Sequence, residues 1–292
     1  MAVASKLIDE LSSEPADEPV DLIETYAMPL AARVMCRIVG IPERDMVKVR
    51  QWSLRLNAES TPANDFGVAE EADGYLKYQC EMKLTSRRQD VAGGLLSAYE
   101  NETVSHQEVR ALIFLLLMAG HESTANFVAN CVLLLSDRAD LWSMLRSGRT
   151  TDIQRLLGEL FRFEAPLEFA TPRYASTDFR HDGTKFRRGD LIFVGLSAAN
   201  HDPTHFQRPS IIDCGRSPLL RPLTFGAGRH SCPGYTIGRI VSEVALVSLA
   251  SQFPYLTVAC PTSELRWWPS MVMRGMLRLP VRCGERLPSV MF

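Results

Sequence analysis

Apolar residues recur at helical spacing through most of the first 165 positions. Between 109 and 134, Val109, Leu112, Ile113, Leu116, Phe127, Cys131 and Leu134 follow one another at such intervals, with further apolar residues on the other faces. A run that is hydrophobic nearly all round predicts a long helix through the middle of a protein. Ser105-His-Gln-Glu108 is a capping box that opens it, and it is expected to end near Ser136. A second helix is expected from Asp152 to Phe163, with Ile153, Leu156, Leu157, Leu160 and Phe161 on one face. Glu159 and Arg162 stand three apart on its other face and can pair. Beyond residue 165 the pattern shortens. Asp182-Gly183, between Phe179 and Phe186, is a hairpin signal, and Arg188-Gly189-Asp190 turns into Leu191–Val194. After residue 234 the run Ile237, Ile240, Val241, Val244, Leu246 and Val247 reads as a buried helix, followed by a hairpin-like tail. Helices first and strands gathered late predict a mainly α protein with small β-sheets.

Composition narrows the picture. The 292 residues are 46% hydrophobic, enough for one large core or two modest domains. A net charge of −2 gives no sign of a nucleic-acid partner. Seven cysteines (36, 80, 131, 214, 232, 260 and 283) are dispersed, with no CxxC pair, as suits a reducing compartment. The first 19 residues are acidic and lack a long apolar stretch, and the longest apolar run, Ala111 to Gly120, is too short to span a bilayer. The expectation is a soluble, cytoplasmic protein with no membrane partner.

Two segments break the apolar pattern with chemistry. Ala119-Gly-His-Glu-Ser-Thr124 sets an acid and two hydroxyls in the centre of the long helix. Read by itself, this is as easily a satisfied polar break, with Ser123 and Thr124 bonded to carbonyls one turn back. Phe225-Gly-Ala-Gly-Arg-His-Ser-Cys-Pro-Gly234 is far more specific. Glycines at 226, 228 and 234 let backbone approach a flat ligand closely, and Cys232 precedes the start of a helix. There a thiolate is favoured by the positive end of the helix dipole and by backbone N–H groups. Pro233 has no N–H, so Gly234 and Tyr235 are left to donate to the sulfur.

With every fixed position filled, this segment resembles the cysteine-ligand loop of the cytochrome P450 family, the haem-thiolate monooxygenases. The resemblance implies haem b held by the Cys232 thiolate, Phe225 and Gly226 packed around it, and His230 on a propionate. Ala119 and Gly120 would line the haem, with Gly120 letting the helix widen for O₂. Glu122, Ser123 and Thr124 match the family's oxygen-activating acid and alcohol, with Ser123 where Thr is usual. Glu159 and Arg162 match its Glu-x-x-Arg pair, a structural brace for the cysteine loop, with Arg216 the candidate third member. Arg173 resembles a propionate-binding arginine, with a solvent-facing strand arginine as the competing reading. Positions 115–123, 166–171 and 271–273 would face an apolar or amphipathic substrate. No flavin or nicotinamide segment is present, so electrons would come from a ferredoxin-type partner.

The resemblance runs in order from Val20 to Val281 and implies one P450-like domain over residues 1–292. Family members normally begin well before the region that Met1 matches. The implied fold therefore lacks its N-terminal strands and first helices, including a Trp-x-x-x-Arg motif that grips a propionate. Such a chain is expected to hold haem weakly and to expose part of the long helix at Leu112 to Leu117. Two other readings stay open: a family-derived helper without chemistry, and an inactive fragment of a longer gene.

Overall fold

A computed structural model describes residues 1–58, 62–84, 89–217 and 221–287. The elements run α1 (Ala2–Leu11), β1 (Val20–Asp21), α2 (Met28–Val39), α3 (Met46–Ala58), α4 (Pro62–Leu84) and α5 (Val91–Glu100). Then come α6 (His106–Leu135), α7 (Ala139–Arg146), α8 (Thr150–Phe163), β2 (Arg173–Tyr174), β3 (Phe179–His181), β4 (Thr184–Phe186) and β5 (Leu191–Ile192). The chain closes with α9 (Leu196–Asn200), α10 (Tyr235–Gln252), β6 (Thr257–Val258) and β7 (Pro280–Arg282). Mainly α with small sheets is what forms.

Two compact units divide the chain: residues 1–11 with 24–125, and residues 12–23 with 126–292. The first is helical, and its core gathers Val39, Val49, Trp52, Val68, Leu76, Val109, Ile113 and Leu117. At the end of α2, Gly40 takes a left-handed φ of 91°, and a Cβ there would strike the Asp90 carboxylate. That carboxylate caps α5 through the Gly93 N–H at 2.8 Å and pairs with buried Lys83.

The second unit holds the sheets. β1, β7 and β6 form an antiparallel sheet in that order, while β2 pairs with β5 and β3 with β4. The Asp182-Gly183 hairpin forms, with φ of 44° and 79° at its turn. It sets Phe179 opposite Phe186, their rings stacked 4.7 Å apart.

The capping box opens α6: the Ser105 N–H donates to Glu108 at 2.7 Å, and the Glu108 N–H donates back to Ser105 Oγ at 3.2 Å. Continuous helix extends the short apolar run to 30 residues, enough by length and composition to cross a membrane, a test that core helices of soluble proteins also pass. Along it Ile113 and Leu117 are buried, whereas Leu112 is 37% and Leu115 59% exposed. The expected exposure of this stretch is therefore confined to one face.

The expected face of α10 is corrected. Its buried residues are Ser242, Ala245, Leu246, Leu249 and Ala250, while Ile240 is 57% exposed and Ile237, Val241, Val244 and Val247 are only partly covered. The helix is apolar on two sides, and periodicity does not say which one meets the core. α10 packs against α7.

Candidate active site

Cys232 lies on the loop before α10, after a single 3₁₀ turn over Gly228–His230. Gly226 and Gly228 adopt φ of 68° and 69°, which folds the loop back until the Cys232 N–H donates to the Phe225 carbonyl at 2.8 Å. The Tyr235 N–H donates to the Cys232 carbonyl at 3.3 Å, so this first-turn donor goes to backbone oxygen rather than to sulfur as expected. Cys36, Cys80, Cys131 and Cys283 are buried, Cys214 and Cys260 half-buried, and Cys232 alone is exposed. Burial pushes Cys36 and Cys283 up to about 11, which keeps those thiols protonated and poor as ligands.

Aromatic rings support the loop from behind. Phe225 packs on Phe161 at 5.0 Å and edge-on against Tyr235 at 4.8 Å, and Phe161 stacks on Phe127 of α6 at 4.0 Å. Gly238 lies against the Phe225 ring, and a Cβ there would stand 3.6 Å from it, in ordinary van der Waals contact. His230 ends the 3₁₀ turn and is exposed.

Glu159 and Arg162 form a buried brace. Arg162 donates to both Glu159 oxygens at 2.9 and 3.0 Å, and to the carbonyls of Asn200, Pro209 and Ile211. Arg216 joins as expected, its Nε 3.0 Å from Glu159, beside the Asp213 N–H at 2.8 Å. Burial raises the Glu159 carboxyl, but hydrogen bonds from Arg162 and Asp213, the Arg162 charge and Arg216 outweigh it and hold the group below its ordinary range.

The link from this brace to the cysteine loop is Asn200, which no sequence signal marks. Its carbonyl accepts from Arg162, its Oδ1 accepts from the Leu223 N–H at 2.6 Å, and its Nδ2 donates to Thr224 at 2.9 Å. Thr224 in turn donates to the Phe161 carbonyl. A lone Asn ending the five-residue helix α9 looks like any solvated helix end, yet it is fully buried.

In the middle of α6, Ser123 donates to the Ala119 carbonyl at 3.2 Å and Thr124 to that of Gly120 at 3.3 Å. Both hydroxyls bond one turn back. The helix stays regular through these residues, and the space left by the absent Gly120 side chain is taken by Met35 of α2. Ala119 is exposed. Glu122 accepts a hydrogen bond from Ser53 of α3. His121 is fully buried, its Nδ1–H donating to the Leu117 carbonyl at 2.7 Å, and burial pushes the imidazole below its ordinary range.

Arg173 sits on β2, where its guanidinium donates to Thr171 and the Pro172 carbonyl. Two of the three expected substrate-facing stretches lie side by side: Leu167 bridges to Met273, and the Glu168 N–H donates to Val272 at 2.8 Å. Asn126 and Asn130 of α6 fix the same tail through Met273 and the Arg274 carbonyl.

The donor set bears on what Cys232 can hold. Among the described residues no three His, Cys, Asp or Glu converge on a metal ion. Cys232 is exposed and can supply one soft ligand to an iron held in a porphyrin, the group that the resemblance implies. Gly234 lies beside the sulfur, and a Cβ there would stand 3.7 Å from it, in ordinary van der Waals contact. The residues fit haem iron held through a cysteine thiolate.

The sequence profile named Cytochrome P450 matches residues 68–274, and the chain belongs to the cytochrome P450 family. Cytochrome P450 107B1 of Saccharopolyspora erythraea is 32% identical over 283 residues, which are 97% of this chain and 69% of that protein. Vitamin D(3) 25-hydroxylase of Pseudonocardia autotrophica is 32% identical over 94% of this chain and 68% of its own length. Among solved structures, the P450 enzyme CxnD for C–S bond formation in chuangxinmycin biosynthesis superposes with a TM-score of 0.90 at 29% identity, covering 99% of this chain and 71% of that one.

Proposed function

We propose that this chain is a haem-thiolate monooxygenase that inserts one oxygen atom from O₂ into an apolar or amphipathic small molecule. The observation that carries the reading is Cys232, the one exposed cysteine, on a loop held by the Phe225 carbonyl and braced through Asn200. Cys232 would hold the haem iron through its thiolate, Phe225, Gly226 and Gly234 would pack around the group, and His230 and Arg173 would meet its propionates. When bound, the haem supplies O₂ activation and the oxidising power for C–H insertion.

The chain's own residues would then supply and exclude protons. Glu122 would take protons from the Ser53 side, and Ser123 would pass them on once its hydroxyl turns away from the Ala119 carbonyl. Ala119 and the exposed face at Leu112 and Leu115 offer apolar surface, as substrate C–H chemistry requires. Two electrons would come from a ferredoxin or similar donor, in the cytoplasm, with residues 1–292 acting as one P450-like domain.

The test is to supply the haem-loaded protein with a ferredoxin, its reductase and ¹⁸O₂, then screen apolar and amphipathic compounds by mass spectrometry. Incorporation of one labelled oxygen atom per product is expected. Haem binding with no oxygenated product across such a panel would return the helper reading.

A further inference from the structure

We propose that Ser53 is a positioning residue for proton delivery, acting through Glu122; this rests on the monooxygenase reading above. Serines within helices commonly bond to carbonyls one turn back, as Ser123 and Thr124 do here. Ser53 of α3 instead gives its proton to the Glu122 carboxylate of α6. Ser53 is 4% exposed and Glu122 half-buried, so the contact is partly shielded from solvent.

The neighbours of this contact are also committed. Trp52, fully buried beside Ser53, donates to Glu71 of α4 at 3.0 Å and pins α3 on its other side. Arg50, one turn before Ser53, pairs with Glu24, and its charge acts on His121. One face of α3 thus sets a hydroxyl against Glu122 and a cation near His121. His121 Nε2 is buried without a hydrogen-bond partner among the described residues, its Nδ1–H being used on Leu117. Ser53 fixes which way the carboxylate points, and α3 thereby sets the geometry of proton supply.

The experiment compares haem-loaded wild type, Ser53→Ala, Ser53→Thr, Glu122→Gln and Ser53→Ala/Glu122→Gln under a ferredoxin and its reductase. It reads peroxide released per NADH, the D₂O isotope effect on O₂ uptake, and the infrared carboxylate band of ¹³C-glutamate-labelled protein. Glu122→Gln should raise peroxide release and delete one band. Ser53→Ala should raise peroxide release by about tenfold, enlarge the isotope effect and shift that same band. Ser53→Thr should restore all three, and the double variant should match Glu122→Gln alone. If Glu122→Gln disturbs coupling but Ser53→Ala does not, or if the two effects add, Ser53 has no such role. An unmoved band in Ser53→Ala overturns the contact itself. If Glu122→Gln leaves coupling unchanged, the proton role of Glu122 fails first and this inference falls with it.

Discussion

Asn200 holds Thr224 by a 2.9 Å hydrogen bond between two buried side chains, and so ties the Glu159–Arg162 brace to the segment entering the cysteine loop. The same side chain accepts the Leu223 N–H, so one amide fixes two consecutive residues just before Phe225. The loop is thus held from two sides, by these polar contacts and by the Phe161 ring.

Removing that amide should loosen the loop without touching any proposed haem contact. Asn200→Ala takes the acceptor from the Leu223 N–H and one of two hydrogen bonds from the Thr224 hydroxyl, which keeps the Phe161 carbonyl, at a cost of about 1–3 kcal/mol. Haem occupancy should fall and the melting temperature drop, with the thiolate character of the remaining bound haem preserved. Unchanged haem affinity in Asn200→Ala would remove it from the brace.

The brace also predicts an acid limb of stability. The folded Glu159 carboxyl lies below its ordinary value of 4.5, so its contribution is fully present above that value and is lost as pH falls through the lower folded value. Glu159→Gln strands the buried Arg162 charge and should cost about 3–5 kcal/mol at neutral pH. Urea midpoints of the two proteins should converge as pH falls below the ordinary carboxylate range. A gap that stays constant with pH would contradict the ion-pair account.

Ser123 supplies a third test. Ser123→Ala should keep the haem spectrum but divert electrons to peroxide, since acid–base groups typically contribute roughly 10²–10⁴-fold in rate. Ser123→Thr should be tolerated, because threonine keeps the hydroxyl and its methyl narrows the rotamer choice. Product yield per electron unchanged in Ser123→Ala would take the hydroxyl out of the mechanism.

Much of this was legible in sequence because the signals were local. The capping box at Ser105 and Glu108, the Asp182-Gly183 turn and the glycines around Cys232 each act over a few residues, and each formed. The Glu159–Arg162 pair was visible as spacing, and its burial follows from carbonyls contributed by residues 200–211. What stayed hidden was long-range. Asn200 with Thr224, and Ser53 with Glu122, join residues 24 and 69 positions apart, and nothing near any of them in sequence announces a partner. The α10 face was misread for the same reason, since a helix apolar on two sides shows which one is buried only against its neighbour.

The most direct test of the whole account is the reduced carbon monoxide difference spectrum of this chain loaded with haem. With Cys232 as a thiolate ligand, wild type should show the red-shifted Soret band of a thiolate-ligated carbonyl complex, and Cys232→Ser should lose it while remaining folded. A folded wild-type protein that takes up haem without that band, or a Cys232→Ser protein that keeps it, would contradict the assignment of Cys232 and the monooxygenase reading built on it.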